Sequence, residues 1–273
     1  MANLYFPLQL HIFSYIISDF ITISNLMKIS KKYYKTFKPK LENLYWNKLE
    51  ELVGTDTKTI LKNGDNFTGG LNFNSVILDK KNCLIISRVL GRLENIKGIY
   101  FWNNKMTLDG FKLLKNPLSK MINLKELYLG NNNITDSTCK YLVPALENLT
   151  QLKWLNLCRN NISNIGCYHL STVLGKLQNL EHFVLCNNHI SDEGCMHLRD
   201  GIKNMTNLEH IYFNNNYIKP DGCKYLFDAF SELENLKSFH IVSNYVKRKD
   251  IDIILEQYAD NSNIKKLISR IYI

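Results

Sequence analysis

Three histidines of this chain, His182, His210 and His240, have a residue type and a spacing that could support acid–base or metal chemistry. His182 and His210 are 28 residues apart, and His240 is the one further residue placed to act as a third ligand. A catalytic zinc site takes three protein ligands, and a general base needs its proton partner within hydrogen-bond reach. The sequence contains no glycine-rich phosphate loop, nucleophile elbow or zinc-protease helix motif. It therefore predicts no catalytic residue, no metal site and no cofactor.

Cysteines recur at multiples of the same 28-residue stride instead of in metal-binding pairs. One set shares the start of a predicted helix: Cys83, Cys139, Cys167, Cys195 and Cys223. Cys158 and Cys186 share a second position on the strand side. Because no C-x-x-C pair occurs, and a free thiol in a core behaves as a small apolar group, we predict packing roles. The odd total of seven favours a reducing compartment.

The stride belongs to a repeated pattern, L-x-x-L-x-L-x-x-N-x-I, followed by a helical run. The repeats open at Ile96, Leu124, Leu152, Leu180, Leu208 and Leu236. A degenerate copy starts near Thr68 with Val76 in place of the asparagine, and Ile264–Leu267 is predicted to be one last strand. A fixed period of this length indicates a stacked solenoid whose end repeats act as caps.

Two periodicities define the repeat unit. Alternating apolar residues, as in Leu127 and Leu129, predict a short strand with one buried face. A helical spacing follows, as in the run of Cys195, Leu198 and Ile202. Residues typical of helix starts precede or open these runs: Thr135, Ser163 and Ser191 as N-caps, Asp136, Asp192 and Glu193 in first turns, and Pro220 at a first helical position. The fold class is therefore α/β.

Asparagine fills the ninth position of all six repeats: Asn104, Asn132, Asn160, Asn188, Asn216 and Asn244. A buried side-chain amide can bond backbone groups of the bend and of the next repeat. We interpret this asparagine ladder as a structural element and not as an active site.

The repeats resemble the leucine-rich repeat superfamily in its longer, strand-plus-helix form seen in ribonuclease inhibitor, over roughly residues 68–273. The resemblance implies a right-handed β-α horseshoe with a parallel sheet on its concave face and helices outside. It also implies protein binding, without an enzymatic activity of its own.

The resemblance implies that strand residues flanking the buried leucines point into the hollow. The predicted target-binding residues are Tyr100, Trp102, Tyr128, Trp154, Arg159, His182, His210, Tyr212 and His240. Tyrosine, tryptophan and arginine dominate protein interfaces. The alternative is that these aromatics only cover the sheet by stacking on their cross-strand neighbours.

Residues 1–50 have a different composition from the repeats and resemble an F-box. The likeness rests on Phe6-Pro7-Leu8, an apolar helical stretch with Ile12 and Ile16, Asp19-Phe20, Ile29-Ser30-Lys31, and Leu44-Tyr45-Trp46. It departs from the family at Phe6, Gln9 and Tyr34. It implies docking onto a Skp1-like adaptor through Pro7, Leu8, Leu10, Ile12 and Ile16, with residues 51–67 as a linker. The alternative is a helical cap on the first repeat.

Three functions follow from this organisation. The first is a substrate-recognition subunit of an SCF-type (Skp1–cullin–F-box) ubiquitin ligase that captures an unknown target protein. The second is a stand-alone binding or inhibitor module. The third is a basic scaffold for nucleic acid, suggested by the net charge of +9 and the lysines at 28, 31, 32, 35, 38 and 40. A solvated lysine-rich face is the favoured explanation of these charges, so nucleic acid is the least favoured partner.

Composition restricts where the chain is expected to act. It is 45% hydrophobic and 22% charged, which is typical of a globular protein. No apolar run reaches the roughly 20 residues needed to span a bilayer, and no basic secretory leader opens the chain. We therefore expect no membrane association and a cytoplasmic or nuclear location.

Overall fold

The computed structural model of the chain describes residues 69–91, 93 and 95–273. The F-box-like segment 1–50, the linker 51–67 and Thr68 lie outside the described residues. The adaptor-binding role of Pro7, Leu8, Leu10, Ile12 and Ile16 therefore stays a prediction.

Strands and helices alternate along the described residues. The strands are β1 (Gly70–Asn72), β2 (Gly98–Tyr100), β3 (Glu126–Tyr128), β4 (Trp154–Asn156), β5 (His182–Val184), β6 (His210–Tyr212), β7 (Ser238–His240) and β8 (Ile271–Tyr272). The helices are α1 (Lys80–Leu90), α2 (Leu108–Leu118), α3 (Asp136–Leu146), α4 (Asn164–Leu174), α5 (Asp192–Ile202), α6 (Pro220–Phe230), α7 (Arg248–Glu256) and α8 (Ser262–Leu267). A 3₁₀ turn, Ile268–Arg270, joins α8 to β8.

The strands form one parallel sheet in chain order, β1 to β8. Each residue pairs with its equivalent in the next repeat, as Leu127 does with Leu155. The middle residue of each three-residue strand is buried, from Leu71 and Ile99 to Phe239, and so is Ile271, the first residue of β8. The neighbours of each buried residue in its strand point to the opposite face, because successive side chains alternate across a strand. One face of the sheet thus closes the core, and the other is covered by none of the described helices.

The core lies between this sheet and the helices, and it is one continuous apolar cluster. On α5, Cys195, Leu198 and Ile202 are completely buried, as the helical spacing predicts. The cysteine column lies in the same core, where burial raises the pKa of Cys83 to about 12 and that of Cys195 well above its ordinary value. These thiols stay protonated and pack as apolar groups.

No helix in residues 69–91 and 95–273 combines the length and apolar composition that a bilayer crossing requires.

The buried asparagines connect each repeat to the preceding one, whereas the sequence analysis expected the next one. Asn160 Nδ2 donates to Leu157 O of its own turn at 2.9 Å and to Leu129 O of the preceding repeat at 3.1 Å. Its Oδ1 accepts from the backbone N–H groups of Asn132 and Ile134, both at 3.0 Å. The turn that carries Asn160 directs its amide towards the turn of the preceding repeat.

Asn104 begins this ladder and is the exception within it. It is 2% exposed, yet neither its Nδ2 nor its Oδ1 has a hydrogen-bond partner in the described structure. In the degenerate first repeat, the backbone N–H groups equivalent to those that bond Asn160 donate elsewhere. Val76 N donates to Phe73 O, and Leu78 N donates to the main-chain oxygen of Asn104. Burial of the Asn104 side chain therefore costs free energy that no hydrogen bond to a described residue offsets.

Helix capping differs from the sequence prediction. Thr135, Ser163 and Ser191 do occupy N-cap positions, but none forms a side-chain capping bond. At α4 the cap comes from Asp136, the first residue of α3. Asp136 Oδ1 accepts from the N–H groups of Ser163 and Gly166, at 2.8 and 2.9 Å.

The same arrangement recurs in the following repeats. Asn164 Oδ1 accepts from Gly194 N at 3.1 Å, and Asp192 Oδ1 accepts from Gly222 N at 3.0 Å. Glycine is needed at the receiving position because a Cβ at Gly222 would lie 2.5 Å from Asp192 Oδ1. The helices α4, α5 and α6 are thus each capped by the helix before them, whereas Thr107 caps α2 with its own side chain.

The predicted last strand at Ile264–Leu267 is wrong, because these residues belong to α8 and the strand is Ile271–Tyr272. Asn261 caps α8 by accepting from Ile264 N at 2.9 Å. Ile264 and Leu267, three residues apart, then share the buried face of a helix. The extra helix lengthens the last unit, so Phe239 pairs with Ile271 and not with the residue 28 positions on.

We expect Asn160→Leu to destabilise the protein far more than Asn104→Leu. The first substitution leaves three buried carbonyls and two buried N–H groups without Asn160, at a cost of about 3 kcal/mol or more. The second removes a side chain that has no partner, so the change should stay within about 1 kcal/mol. Equilibrium urea unfolding followed by circular dichroism measures both.

Position in the solenoid is controlled with Ile99→Ala and Leu155→Ala, two completely buried residues from the same two repeats. Both should cost about 2–5 kcal/mol. Equal losses for the two asparagine variants, with both alanine controls destabilised, would contradict the assignment of Asn104 as unpartnered.

Candidate functional site

The helix-free face of the sheet, here called the open sheet face, is formed by the first and third residues of each strand. The first position holds Gly98, Glu126, Trp154, His182, His210 and Ser238. The third position holds Tyr100, Tyr128, Asn156, Val184, Tyr212, His240 and Tyr272. The structure thus brings together seven of the nine residues that the sequence analysis assigned to target binding.

Eight rings on this face stack in one continuous series, the aromatic ladder. Its members are Tyr100, Tyr128, Trp154, His182, His210, Tyr212, His240 and Tyr272. Ring centroids are 5.1 Å apart for Tyr100 and Tyr128, and 3.8 Å apart for Trp154 and His182. The ring centroids of His182 and His210 are 4.7 Å apart, close to the separation of about 4.8 Å between neighbouring strands of a sheet. The ladder extends across β2 to β8.

The ladder changes position twice along the sheet. It passes from the third strand position to the first between Tyr128 and Trp154, whose centroids are 5.9 Å apart. It returns between His210 and Tyr212, at 6.5 Å. The third position in between holds Asn156 and Val184, so the two shifts keep the series unbroken where no ring is available in that column.

Polar contacts hold both ends of the ladder. At one end Tyr100 donates its hydroxyl to Glu126 Oε2 at 2.6 Å, which is the first cause of the rise in its pKa to about 12. At the other end the Ser238 hydroxyl lies 2.7 Å from His210 Nδ1 and 3.1 Å from His240 Nε2. A neutral imidazole offers one donor and one acceptor, so one hydroxyl can serve both rings.

The three histidines of the ladder favour the neutral form. Burial lowers the pKa of His182, and the neighbouring His210 adds to the effect. Burial also lowers the pKa of His210, against the opposing influence of the Glu209 carboxylate, and lowers that of His240. The other charged groups that act on these rings are Glu181, Lys237 and Arg270.

Stacking arranges these histidines side by side and not around a common point. No group of three or more histidine, cysteine, aspartate or glutamate side chains in the described part of the chain is arranged to hold a metal ion. Trp154 Nε1 and His182 Nδ1 are buried without a partner, in rings that face each other. The arrangement offers ring surface and hydrogen-bonding edges to a partner.

Trp102 and Arg159 lie at the turns that follow the strands, beside the ladder and not in it. The Trp102 ring covers Gly130, where a Cβ would come within 2.2 Å of Trp102 Cζ3. Arg159 is exposed and has a φ of 53°, in the left-handed region. Asn131 and Asn187 occupy the equivalent position in the neighbouring repeats with the same conformation. Asparagine tolerates this conformation better than arginine does.

A row of charged residues precedes the strands and borders the ladder. Its members are Lys97, Lys125, Lys153, Glu181, Glu209 and Lys237. Lys153 pairs with Glu181, and Lys237 Nζ lies 2.7 Å from Glu209 Oε1, which holds the pKa of Glu209 below its ordinary value. Lys97 and Lys125 form no ion pair with any described residue.

The sequence analysis missed Tyr272, whose ring lies 4.2 Å from His240 and which is 48% exposed. Tyr272 was missed because the last strand was predicted at Ile264–Leu267 and not at Ile271–Tyr272. The alternation in Ile271-Tyr272 was the available signal, because a buried residue followed by an outward ring repeats the pattern of the other strands.

Comparisons with known proteins agree with this architecture. Residues 120–143 and 176–198 match a family model described as Leucine Rich repeat. Among solved structures, internalin C2 from Listeria monocytogenes matches 82% of this chain and 90% of its own, with a TM-score of 0.51 and 19% identity. No curated protein matches the sequence significantly. Together with the repeats and the sheet, these matches confirm the predicted leucine-rich repeat fold.

We expect stability to fall as the pH drops from 7.5 to 5.5. The pKa values of His182, His210 and His240 are lowered in the folded chain, whereas unfolded imidazoles bind protons near pH 6.5. Their contribution is therefore complete above pH 6.5 and is lost as the pH falls towards the folded values. Urea midpoints at several pH values measure the loss.

His182→Phe keeps a stacked ring and removes one titrating group, so its pH dependence should be shallower than that of the unmodified chain. His189→Phe is the matched control, because His189 is exposed and lies outside the ladder. Identical pH profiles for His182→Phe and the unmodified chain would refute the role of His182.

Proposed function

We propose that this chain is a non-enzymatic, protein-binding subunit whose open sheet face holds a target protein. We further propose that residues 1–50 dock onto a Skp1-like adaptor, which makes the chain the substrate-recognition subunit of an SCF-type ubiquitin ligase. The aromatic ladder is the observation that carries the first part. The order of motifs in the sequence supports the second.

The ladder has the properties of a binding surface. Its rings stack on one another, so their rotamers are restricted before any partner arrives, and little side-chain entropy remains to be lost on binding. Seven of the eight are half-buried and Tyr272 is exposed, so all retain free edges. Tyrosine and tryptophan are also the residues that carry most of the energy in protein interfaces.

Covering the sheet is the alternative role for these rings. The apolar core is complete on the other face, where the middle strand residues and the helices are buried together. Rings on the open sheet face are therefore not needed to close the core, although cross-strand stacking adds some stability. The binding role explains why the series continues from β2 to β8.

The adaptor role is supported by sequence alone. The F-box-like order from Pro7 and Leu8 to Trp46 is followed directly by the repeats, which is a familiar pairing in cullin–RING ubiquitin ligases. In this arrangement the N-terminal segment supplies the connection to the ligase, and the solenoid supplies the choice of target. A stand-alone binding module with a helical N-terminal cap is the second candidate.

The adaptor role is tested by co-purifying the full chain with a Skp1-type adaptor. We expect Pro7→Ala combined with Leu8→Asp to abolish retention, because a charge replaces an apolar contact. Gln9→Glu is the matched control, since it introduces the residue common in the F-box family and should preserve retention. No adaptor bound to the unmodified chain, with the repeats folded, would leave the stand-alone module.

The target role is tested with Trp154→Ala against Tyr168→Ala. Trp154 lies in the ladder, whereas Tyr168 is a 53% exposed ring on α4. Loss of an interface hot spot costs about 2 kcal/mol, or about thirtyfold in affinity. Partners retained by the immobilised chain are quantified by mass spectrometry with each variant.

We expect a partner that is lost with Trp154→Ala and kept with Tyr168→Ala, while circular dichroism shows both variants folded. Equal retention of every partner by the two variants would refute binding through the ladder.

A further inference from the structure

We infer that the part of the open sheet face formed by β2, β3 and β4 selects an acidic segment of the target protein. This inference rests on the proposed target-binding role and specifies the chemistry of the partner. It is carried by the charges that border the ladder, by the direction of its rings and by the backbone of Arg159.

Unpaired cations lie on both sides of the ladder in these repeats. Lys97 and Lys125 precede β2 and β3, and Lys105 and Arg159 follow β2 and β4 at the turns. Lys105, Lys125 and Arg159 are exposed, and Lys97 is half-buried. None of the four forms an ion pair with a described residue. An anionic partner could therefore reach them without breaking an existing contact.

The single carboxylate within this part of the face is already engaged. Glu126 Oε2 accepts a hydrogen bond from the Tyr100 hydroxyl at 2.6 Å. Glu126 lies between the two rows of cations. The excess charge of β2 to β4 is therefore positive. Charge complementarity of this kind selects partners and accelerates their encounter.

The repeats that follow are balanced by comparison. Glu181 and Glu209 are paired with Lys153 and Lys237. The histidines of β5, β6 and β7 favour their neutral form. The open sheet face therefore has a basic part near β2 to β4 and a nearly neutral part near β5 to β7.

The rings present their edges to a ligand. Tyr100, Tyr128 and Trp154 stack in series, so each inner ring face is occupied by a neighbour. The edge of an aromatic ring carries the positive part of its quadrupole, which attracts carboxylate oxygens. Nucleobases need free ring faces on which to stack. The exposed edges thus favour an acidic polypeptide over a nucleic acid.

Arg159 adds an independent observation. A non-glycine residue in the left-handed region costs of order 1 kcal/mol, and such strain concentrates at functional sites. Asn103, Asn131, Asn187 and Asn215 hold the same position and conformation in other repeats, and Ser75 and Ser243 hold it in the end repeats. Arg159 thus occupies a position where asparagine would fit the backbone better. Its guanidinium can bind a carboxylate through two parallel hydrogen bonds.

The inference is tested with the full chain and a random copolymer of glutamate and tyrosine, by isothermal titration calorimetry at 50 and 300 mM salt. Lys97→Glu combined with Lys125→Glu should weaken binding by about tenfold or more, because two attractive charges become repulsive. The matched control is Lys31→Glu with Lys32→Glu, which makes the same change of net charge in the N-terminal lysine cluster. It should stay within about twofold of the unmodified chain, because the inference assigns binding to the cations that border the ladder and not to the net charge of the chain.

Arg159→Asn provides a second variant that cannot fail by misfolding, because asparagine is native at the equivalent positions. It should weaken copolymer binding while leaving the urea midpoint unchanged or raised. Binding that is unaffected by Arg159→Asn and by the Lys97/Lys125 pair would overturn the inference. So would equal losses in the Lys31/Lys32 control, no copolymer binding, or tighter binding of a twenty-nucleotide oligothymidine.

Failure of this inference is distinguishable from failure of the proposed function. A partner that depends on Trp154 but tolerates charge reversal at Lys97 and Lys125 overturns the acidic-segment inference and leaves the ladder as a binding surface. A partner that ignores Trp154→Ala refutes the target-binding role itself.

Discussion

The hydrogen bonds of the buried asparagines are the interactions on which the remaining structure depends. A strand of three residues and a helix of eleven cannot bury an apolar face by themselves, so a repeat is stable only against its neighbours. Asn160 bonds the turn of its own repeat and that of the preceding one with a single amide. Because this amide is 4% exposed, each of its bonds is made where water cannot substitute. The strand register follows from this constraint.

The aromatic ladder is a consequence of that register. Pairing at a constant offset puts equivalent side chains on adjacent strands, about 4.8 Å apart. This spacing lies close to the 4.7 Å between the centroids of His182 and His210 and the 4.5 Å between those of Tyr212 and His240. Rings placed in one column therefore stack without backbone adjustment. The sheet acts as a template, and the chain varies the chemistry of the surface by changing one residue per repeat.

Much of the fold and of the candidate site could be predicted, because both depend on periodicity. The strand centres, the buried cysteine column, the helix starts and seven ladder rings follow from positions that recur every 28 residues. What failed depends on contacts between repeats or on a break in the period. Extrapolation put a strand at Ile264–Leu267, where the chain forms an additional helix. The direction of the asparagine bonds and the cap from Asp136 to the next helix require neighbours in three dimensions. The F-box-like segment has no internal repeat, so its prediction rests on resemblance alone.

The capping pattern has a consequence for how such a chain can change length. Repeats in the middle of the solenoid supply a cap to the helix after them, as Asp192 does to Gly222, and an amide to the turn before them, as Asn188 does to Ile162. Dependence therefore runs in both directions along the solenoid. A duplication or loss of one whole period restores both connections at the new junction, wherever within the repeat it begins. A change of any other length breaks one of them. The interior of this protein can thus evolve in steps of 28 residues, while shorter insertions are restricted to its ends, where α8 is found.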